Sequence, residues 1–259
     1  VTAWKRLFIA LVCTPLLAPG AVSAADAALD PRLLPGGQAD LPALQRELER
    51  LSAGRATPAV VAAAPGTGVR VPGLERLETP AFLAATDPFA LEPLDGATRV
   101  LLLGPAGALE EAAEALAAQA GARGIALAPL AVTPAGSPSD TALHGADAAL
   151  LLALPDLEGD AQRRLFARLT EAGVPSVALT DARQVERGAL LSSPGALDHE
   201  AWLRRVALRL DDVAAGRAPE PLDSRPGLER PWLNLETADR LGWSPSFALL
   251  SQARLVGEA

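Results

Sequence analysis

The chain has no tyrosine, no methionine, two histidines and one cysteine, and aromatic residues make up 3% of its 259 positions. Lysine occurs once, at Lys5, and the cysteine is Cys13. Both lie in the first 24 residues, so the remainder offers no thiolate nucleophile, no disulfide and no cysteine metal site. It also offers no Schiff-base lysine and no phosphate-loop lysine. Only His144 and His199 are left for general-base work or metal ligation. Both stand in polar surroundings, where a solvated imidazole is the ordinary role. A serine nucleophile would need a G-x-S-x-G elbow, and none is present. The residue inventory therefore points away from catalysis, names no catalytic residue and calls for no metal and no cofactor.

Basic charge is also scarce. The net charge is −8, and −10 without residues 1–24, which hold Lys5 and Arg6 and no acid. Nucleic-acid binding needs a basic face to neutralise phosphates, so it is not expected.

Residues 1–25 begin with Lys5 and Arg6, continue as an apolar run from Leu7 to Leu17, and close on small residues around Ala24 and Ala25. This order predicts a cleavable secretory signal peptide over 1–24 and export to the periplasm. The run is short of the roughly 20 residues of a membrane span.

Residues 26–42 are rich in Pro, Gly and Asp and read as an irregular leader. Leu41, Leu44, Leu48 and Leu51 then recur at helical spacing up to Gly54. Short apolar runs at 58–68 and 79–88 read as buried strands, with Pro72 and Gly73 breaking any helix between them. From Thr98 the pattern becomes regular. Strands are predicted over 99–104, 124–132, 147–156, 174–181 and 188–192. Helices are predicted over 108–121, 158–173 and 197–216, with one helical turn inside 136–146. Continuous apolar strands alternating with amphipathic helices imply βαβ units and a doubly wound α/β fold with parallel sheets.

The final stretch, "PWLNLETADRLGWSPSFALLSQARLVGE", reads as a strand, a short helix stopped by Gly242, and a closing helix. With Asn234, Ala238, Leu241, Gly242 and Ala253 in place, it resembles the ending of a family of ABC-transporter substrate-binding proteins of the type I periplasmic fold. "GVPSVALTD", "ERGALLS" and "AAGRAPEPL" match that family's strands and crossover turn in the same order, and "PAFLAATDPF" resembles its strand ending in Asp-Pro. The resemblance covers residues 41–259 and is carried mainly by 98–259. It implies two lobes that close on a solute and hand it to an inner-membrane ABC permease. The family's opening elements have no counterpart here, so the N-terminal lobe, 25–97, is expected to be truncated. Residues 98–216 form the second lobe and 217–259 the crossover and closing elements. A protein with a reduced lobe can also serve as an envelope accessory or sensory interaction protein that has lost its small ligand.

Ligands of open α/β sheets sit outside the carboxyl ends of the strands. Four candidate contacts follow. Thr67 lies in "PGTG", where backbone N–H groups can hold an anion, although a tight turn uses the same glycines. Asp87 ends the second apolar run and can receive an amine or cap a turn. Asp156 follows the most apolar strand. Asp181 follows the next one, where it can equally cap the chain that comes after it.

Overall fold

The computed structural model describes residues 27–29, 40–52, 59–62, 83, 87–133, 138–194, 196, 198–217 and 230–257. The predicted signal segment, most of the predicted leader, the Gly-rich turn with Thr67, and the crossover at 218–229 lie outside them.

Five strands form a parallel sheet: β3 (Arg99–Gly104), β4 (Ala126–Ala131), β5 (Ala148–Leu151), β6 (Ser176–Ala178) and β7 (Leu191–Ser192). The helices between them are α2 (Ala106–Ala122), the single turn α3 (Asp140–Leu143), α4 (Gly159–Glu171) and the short α5 (Arg183–Glu186). The chain then runs through α6 (His199–Ala214), β8 (Trp232–Asn234), α7 (Leu235–Leu241), α8 (Phe247–Gln252) and β9 (Arg254–Val256). The order across the sheet is β4-β3-β5-β6-β7-β8-β9, with β8 antiparallel to β7 and parallel to β9. Upstream, β1 (Ala27–Leu29) and β2 (Val60–Ala62) pair in parallel as a separate two-stranded sheet, joined by α1 (Leu41–Ser52).

Strands β3 and β5 are buried on both faces because alternate residues enter different cores, whereas β4, at the edge, is exposed or half-exposed throughout. Val100 and Leu102 of β3, with Ala148 and Leu150 of β5, pack beneath α2, which contributes Leu109, Ala112 and Leu116. Leu101, Leu103, Ala149 and Leu151 face the opposite way, onto Leu165, Phe166 and Leu169 of α4. A third cluster joins Leu41, Leu44 and Leu48 of α1 to Trp202, Leu203 and Val206 of α6. The leucine spacing of α1 is thus used against a helix that follows the parallel strands. Arg204 of α6 adds an ion pair to Glu47 at 3.8 Å.

The regular region matches expectation closely, and the differences have physical reasons. The apolar run 147–156 is one strand in sequence, but the sheet takes only its first part; Leu152 to Asp156 leave as a loop. Within 79–88 the described residues are not extended: Leu83 is helical, and Pro88, whose φ is fixed, opens a 3-10 turn at Pro88–Ala90. Strand β1 forms inside the stretch read as an irregular leader, because β2 supplies a partner far away in sequence. Strand β9 closes the chain where only a helix was expected. Arg254 holds it there, lying 4.1 Å over the Trp232 ring and donating to Asp198 at 3.2 Å.

The C-terminal stretch acts as a fastener. Asn234 ends β8 and caps α7, its Oδ1 accepting from the Thr237 N–H at 2.9 Å while its Nδ2 donates to the Val185 carbonyl at 2.8 Å. Thr237 donates to the Gly188 carbonyl at 3.0 Å. Gly242 stops α7 in the left-handed conformation, φ 65°, which a residue with a Cβ adopts only with strain. No helix among the described residues is long and apolar enough to cross a membrane.

Candidate functional site

Strand β3 has β4 on one side and β5 on the other. Helix α2 leaves the end of β3 onto one face of the sheet, while α4 leaves the end of β5 onto the other. The connections therefore diverge between β3 and β5, and a crevice opens at the carboxyl ends of these strands. Gly104 and Pro105 form one side. The 152–157 loop forms the other. A Cβ on Gly104 would meet the Leu152 Cδ1 at 2.7 Å and Cβ at 3.0 Å, so a larger residue there would push Leu152 aside.

Buried amides fix the loop. Gln184, fully buried, donates from Nε2 to the Leu152 carbonyl at 2.9 Å. Gln162 donates to the Leu154 and Leu157 carbonyls at 3.0 and 2.9 Å, and its Oε1 accepts from Arg187 at 2.7 Å. Burial lowers the pKa of the Arg187 guanidinium. Each amide answers carbonyls that the loop would otherwise leave unpaired.

Within the crevice lies a cavity of about 40 Å³, lined by Leu83, Ala108, Ala112, Leu152 and Ala153, with Thr180 beside them. The Thr180 hydroxyl is buried and has no hydrogen-bond partner among the described residues. Next to it, sharing Pro105 and Pro155, is a recess of about 10 Å³ that reaches Asp156 and Thr133.

The four expected contacts separate. Asp156 stands at the crevice, exposed, its carboxylate engaged by no hydrogen bond or ion pair among the described residues. Asp181 follows β6 at the same end of the sheet, but its carboxylate is committed to Arg183. It accepts from that residue's N–H at 3.1 Å and its guanidinium at 3.2 Å. Arg183 also reaches Asp40 at 3.5 Å, so one cation bridges two buried carboxylates, one of them at the start of α1. Asp87 is elsewhere. It pairs at 2.5 Å with Arg123, which lies beyond the end of α2 where the chain turns into β4. That is the amino-terminal edge of the sheet, so Asp87 and Asp156 share no crevice. The Asp-Pro signal was correct about a turn and silent about which edge the turn lies on. Thr67 is outside the described residues.

Sequence reasoning missed Thr180 and the two glutamines. Thr180 sits one residue before Asp181 and is no more conspicuous than any threonine. Gln162 and Gln184 become informative only once both are seen to be buried. Among the described residues no group of three or more His, Cys, Asp or Glu side chains could hold a metal. A groove of about 460 Å³ lies between α1 and α6 beside Glu47, Arg50, Asp198 and Arg204. Arg50 donates to Glu47 and lowers its pKa, and Asp198 caps α6 by accepting from the Ala201 N–H.

No family model and no curated protein matches this chain. Among solved structures it is similar to a conserved domain protein from Vibrio cholerae, 20% identical over 63% of this chain and 56% of that one, with a TM-score of 0.52. It is similar also to the ABC domain in complex with L-Trp from Streptococcus pneumonia, 16% identical over 67% and 59% of the two chains, with a TM-score of 0.55. A ligand-free, open substrate binding protein with adhesive properties from Clostridium difficile shares 14% identity over 85% and 84%, at a TM-score of 0.46. This chain spans less than two thirds of the first two proteins. At these identities the likeness to the first two is one of fold, an α/β fold with a mostly parallel sheet flanked by helices.

Proposed function

We propose that this chain is a non-enzymatic solute-binding protein of the bacterial envelope. In this reading residues 1–24 direct its export to the periplasm, and it serves an ABC-type permease in the inner membrane. Ligand contacts lie at the carboxyl ends of β3, β5 and β6, with Asp156 at the rim. The observation that carries the reading is the crevice where the α2 and α4 connections diverge, walled by a loop that two buried glutamines hold in place. A wall positioned before binding costs little to order when a solute arrives. Asp40 and Asp181 belong to the frame rather than the contact surface, because Arg183 holds both.

A second reading has its own support. Solute pockets commonly enclose about 300–1,000 Å³, whereas the crevice encloses about 40 Å³ among the described residues. That favours an accessory or sensory protein that binds small solutes weakly or not at all.

Thermal-shift titration of the full chain across amino acids, nucleosides, sugars and oxyanions separates the two. At a hundred times the dissociation constant a true ligand stabilises the fold by about 2.7 kcal/mol. For an amine-bearing ligand, Asp156→Ala should weaken binding roughly tenfold or more, from loss of a charge-assisted hydrogen bond. No shift with any solute would leave the accessory reading in place.

A further inference from the structure

We infer that Pro129 is an assembly guard: it keeps the outer edge of β4 from pairing with the same strand of a second copy of this chain. The inference stands apart from the solute-binding reading.

Strand β4 closes one end of the seven-stranded sheet, with β3 on one side and no described strand on the other. Such an edge presents a row of backbone N–H and C=O groups to any strand that arrives, and edges are ordinarily blunted by charge or by shortness. The opposite edge has both: β9 is three residues long and carries Arg254. Strand β4 has neither. It runs for six residues, ALAPLA, and the nearest charged residues in the chain are Arg123 and Asp140. Ala126, Pro129 and Ala131 are exposed and the residues between them half-exposed.

The direction of the hydrogen bonds shows what the proline does. In an extended strand the N–H and C=O of one residue point to the same side, and successive residues alternate sides. The Ala126 N–H donates to the Thr98 carbonyl at 2.8 Å, and the Val132 N–H donates to the Gly104 carbonyl at 2.9 Å. Residues 126, 128, 130 and 132 therefore face β3, and Leu127, Pro129 and Ala131 face outward. Proline has no N–H to donate. At an inward position it would break the ladder to β3. At 129 it leaves that ladder whole and removes the middle donor of the free edge.

A second copy is the occupant this edge fits. Closed homodimers are two-fold, and a two-fold axis runs a strand antiparallel to itself. Centred on the outward residues, such pairing sets position 129 of one copy against position 129 of the other, where each would donate to its counterpart's carbonyl. Both bonds are missing, and two rings meet instead. Shifting the register by two residues still leaves Pro129 opposite a carbonyl it cannot answer. No charge within β4 repels the second copy, so the block falls to the proline.

The experiment compares the full chain with Pro129→Val and Pro129→Lys by light scattering over a concentration series, with amide exchange and urea denaturation alongside. In the parent, the Leu127 and Ala131 amides should exchange roughly tenfold or more faster than those of Ala128 and Leu130, which bond to β3. Pro129→Val restores the outward N–H and adds a residue that favours strands. Its mass should rise with concentration above the parent's, and its Leu127 and Ala131 amides should become protected as it does. Pro129→Lys restores the same N–H but sets like charges opposite each other, and should keep the parent's mass. Pro129→Val with the parent's mass at every concentration would overturn the proposal. So would Leu127 and Ala131 amides already protected in the parent, since the edge would then be covered. Association of Pro129→Val that leaves those amides unprotected would place the contact elsewhere, and equal association of Pro129→Lys would exclude the two-fold pairing; either result sinks the idea. A much lower urea midpoint in Pro129→Val would assign the proline to the strand's own stability, and the guard would fall.

Discussion

Two regions of this molecule obtain their order in different ways. From Thr98 to Ser193 each strand brings its own partners, with leucines and alanines alternating between two cores and α2 and α4 covering one core each. Upstream, β1, α1 and β2 form one small βαβ unit whose two strands make a sheet of their own. A two-stranded sheet is at best marginal in water. This one is supported through α1, whose leucines meet Trp202 and Val206 of α6, and through Asp40, which meets Arg183. A region of continuous apolar strands specifies its neighbours locally, whereas a region with one amphipathic helix takes its place from the surface that receives it.

The sharpest way to break the comparison is to cut a cavity in the larger region. Phe166 is fully buried on α4. Phe166→Ala should cost about 3–5 kcal/mol, seen as a lower urea midpoint for the whole chain. A transition in which β1, α1 and β2 stay folded after the main sheet has melted would show that the N-terminal unit is independent.

Arg183→Ala comes next. It leaves the Asp181 carboxylate buried without its cation, and breaking a buried pair from one side costs about 3–5 kcal/mol. The loss should reach both regions, because the same guanidinium serves Asp40. Denaturation of the variant by urea, with amide exchange followed in α1 and β6, measures it. Slow exchange persisting in α1 would mean that the ion bridge does not couple the regions.

Leu48→Ala tests the dock itself. Truncating a fully buried leucine costs about 2–5 kcal/mol. Here the cost should fall on the N-terminal unit, so amides of α1 should exchange faster while those of β3 and β5 keep their protection.

The smallest effect concerns acid. Asp147 accepts from the Thr98 N–H, the Thr98 hydroxyl and the Arg99 N–H at 2.7–2.8 Å, and these bonds hold its carboxyl below the ordinary range. A depressed folded-state pKa contributes stability above the unfolded value, about 3.9, which is lost as pH falls through the folded value. Asp147→Asn should therefore lower stability by about 1 kcal/mol at neutral pH, and the difference from the parent should shrink toward pH 3. A difference that stays constant down to low pH would assign the effect to packing. The carboxylate is exposed, so salt should weaken it too.

The periodicity from Thr98 onward determined the fold class, because an apolar strand buried on both faces has few alternatives to a covered parallel sheet. The same pattern placed α2, α4 and α6 to within about two residues, the ordinary uncertainty of helix ends. Residue types alone left no thiolate nucleophile, no Schiff-base lysine and no cysteine metal site beyond residue 24. Tertiary structure alone decided which strand ends meet. It put Asp87 on the opposite edge of the sheet from Asp156, committed Asp181 to Arg183, and drew Thr180, Gln162 and Gln184 to one crevice. It also gave β1 and β9 their partners, β2 and β8. The reason is physical: periodicity records which side of an element is buried, and so fixes faces. Which end of the sheet a loop reaches, and which carboxylate an arginine finds, depend on contacts between residues that lie far apart in the chain.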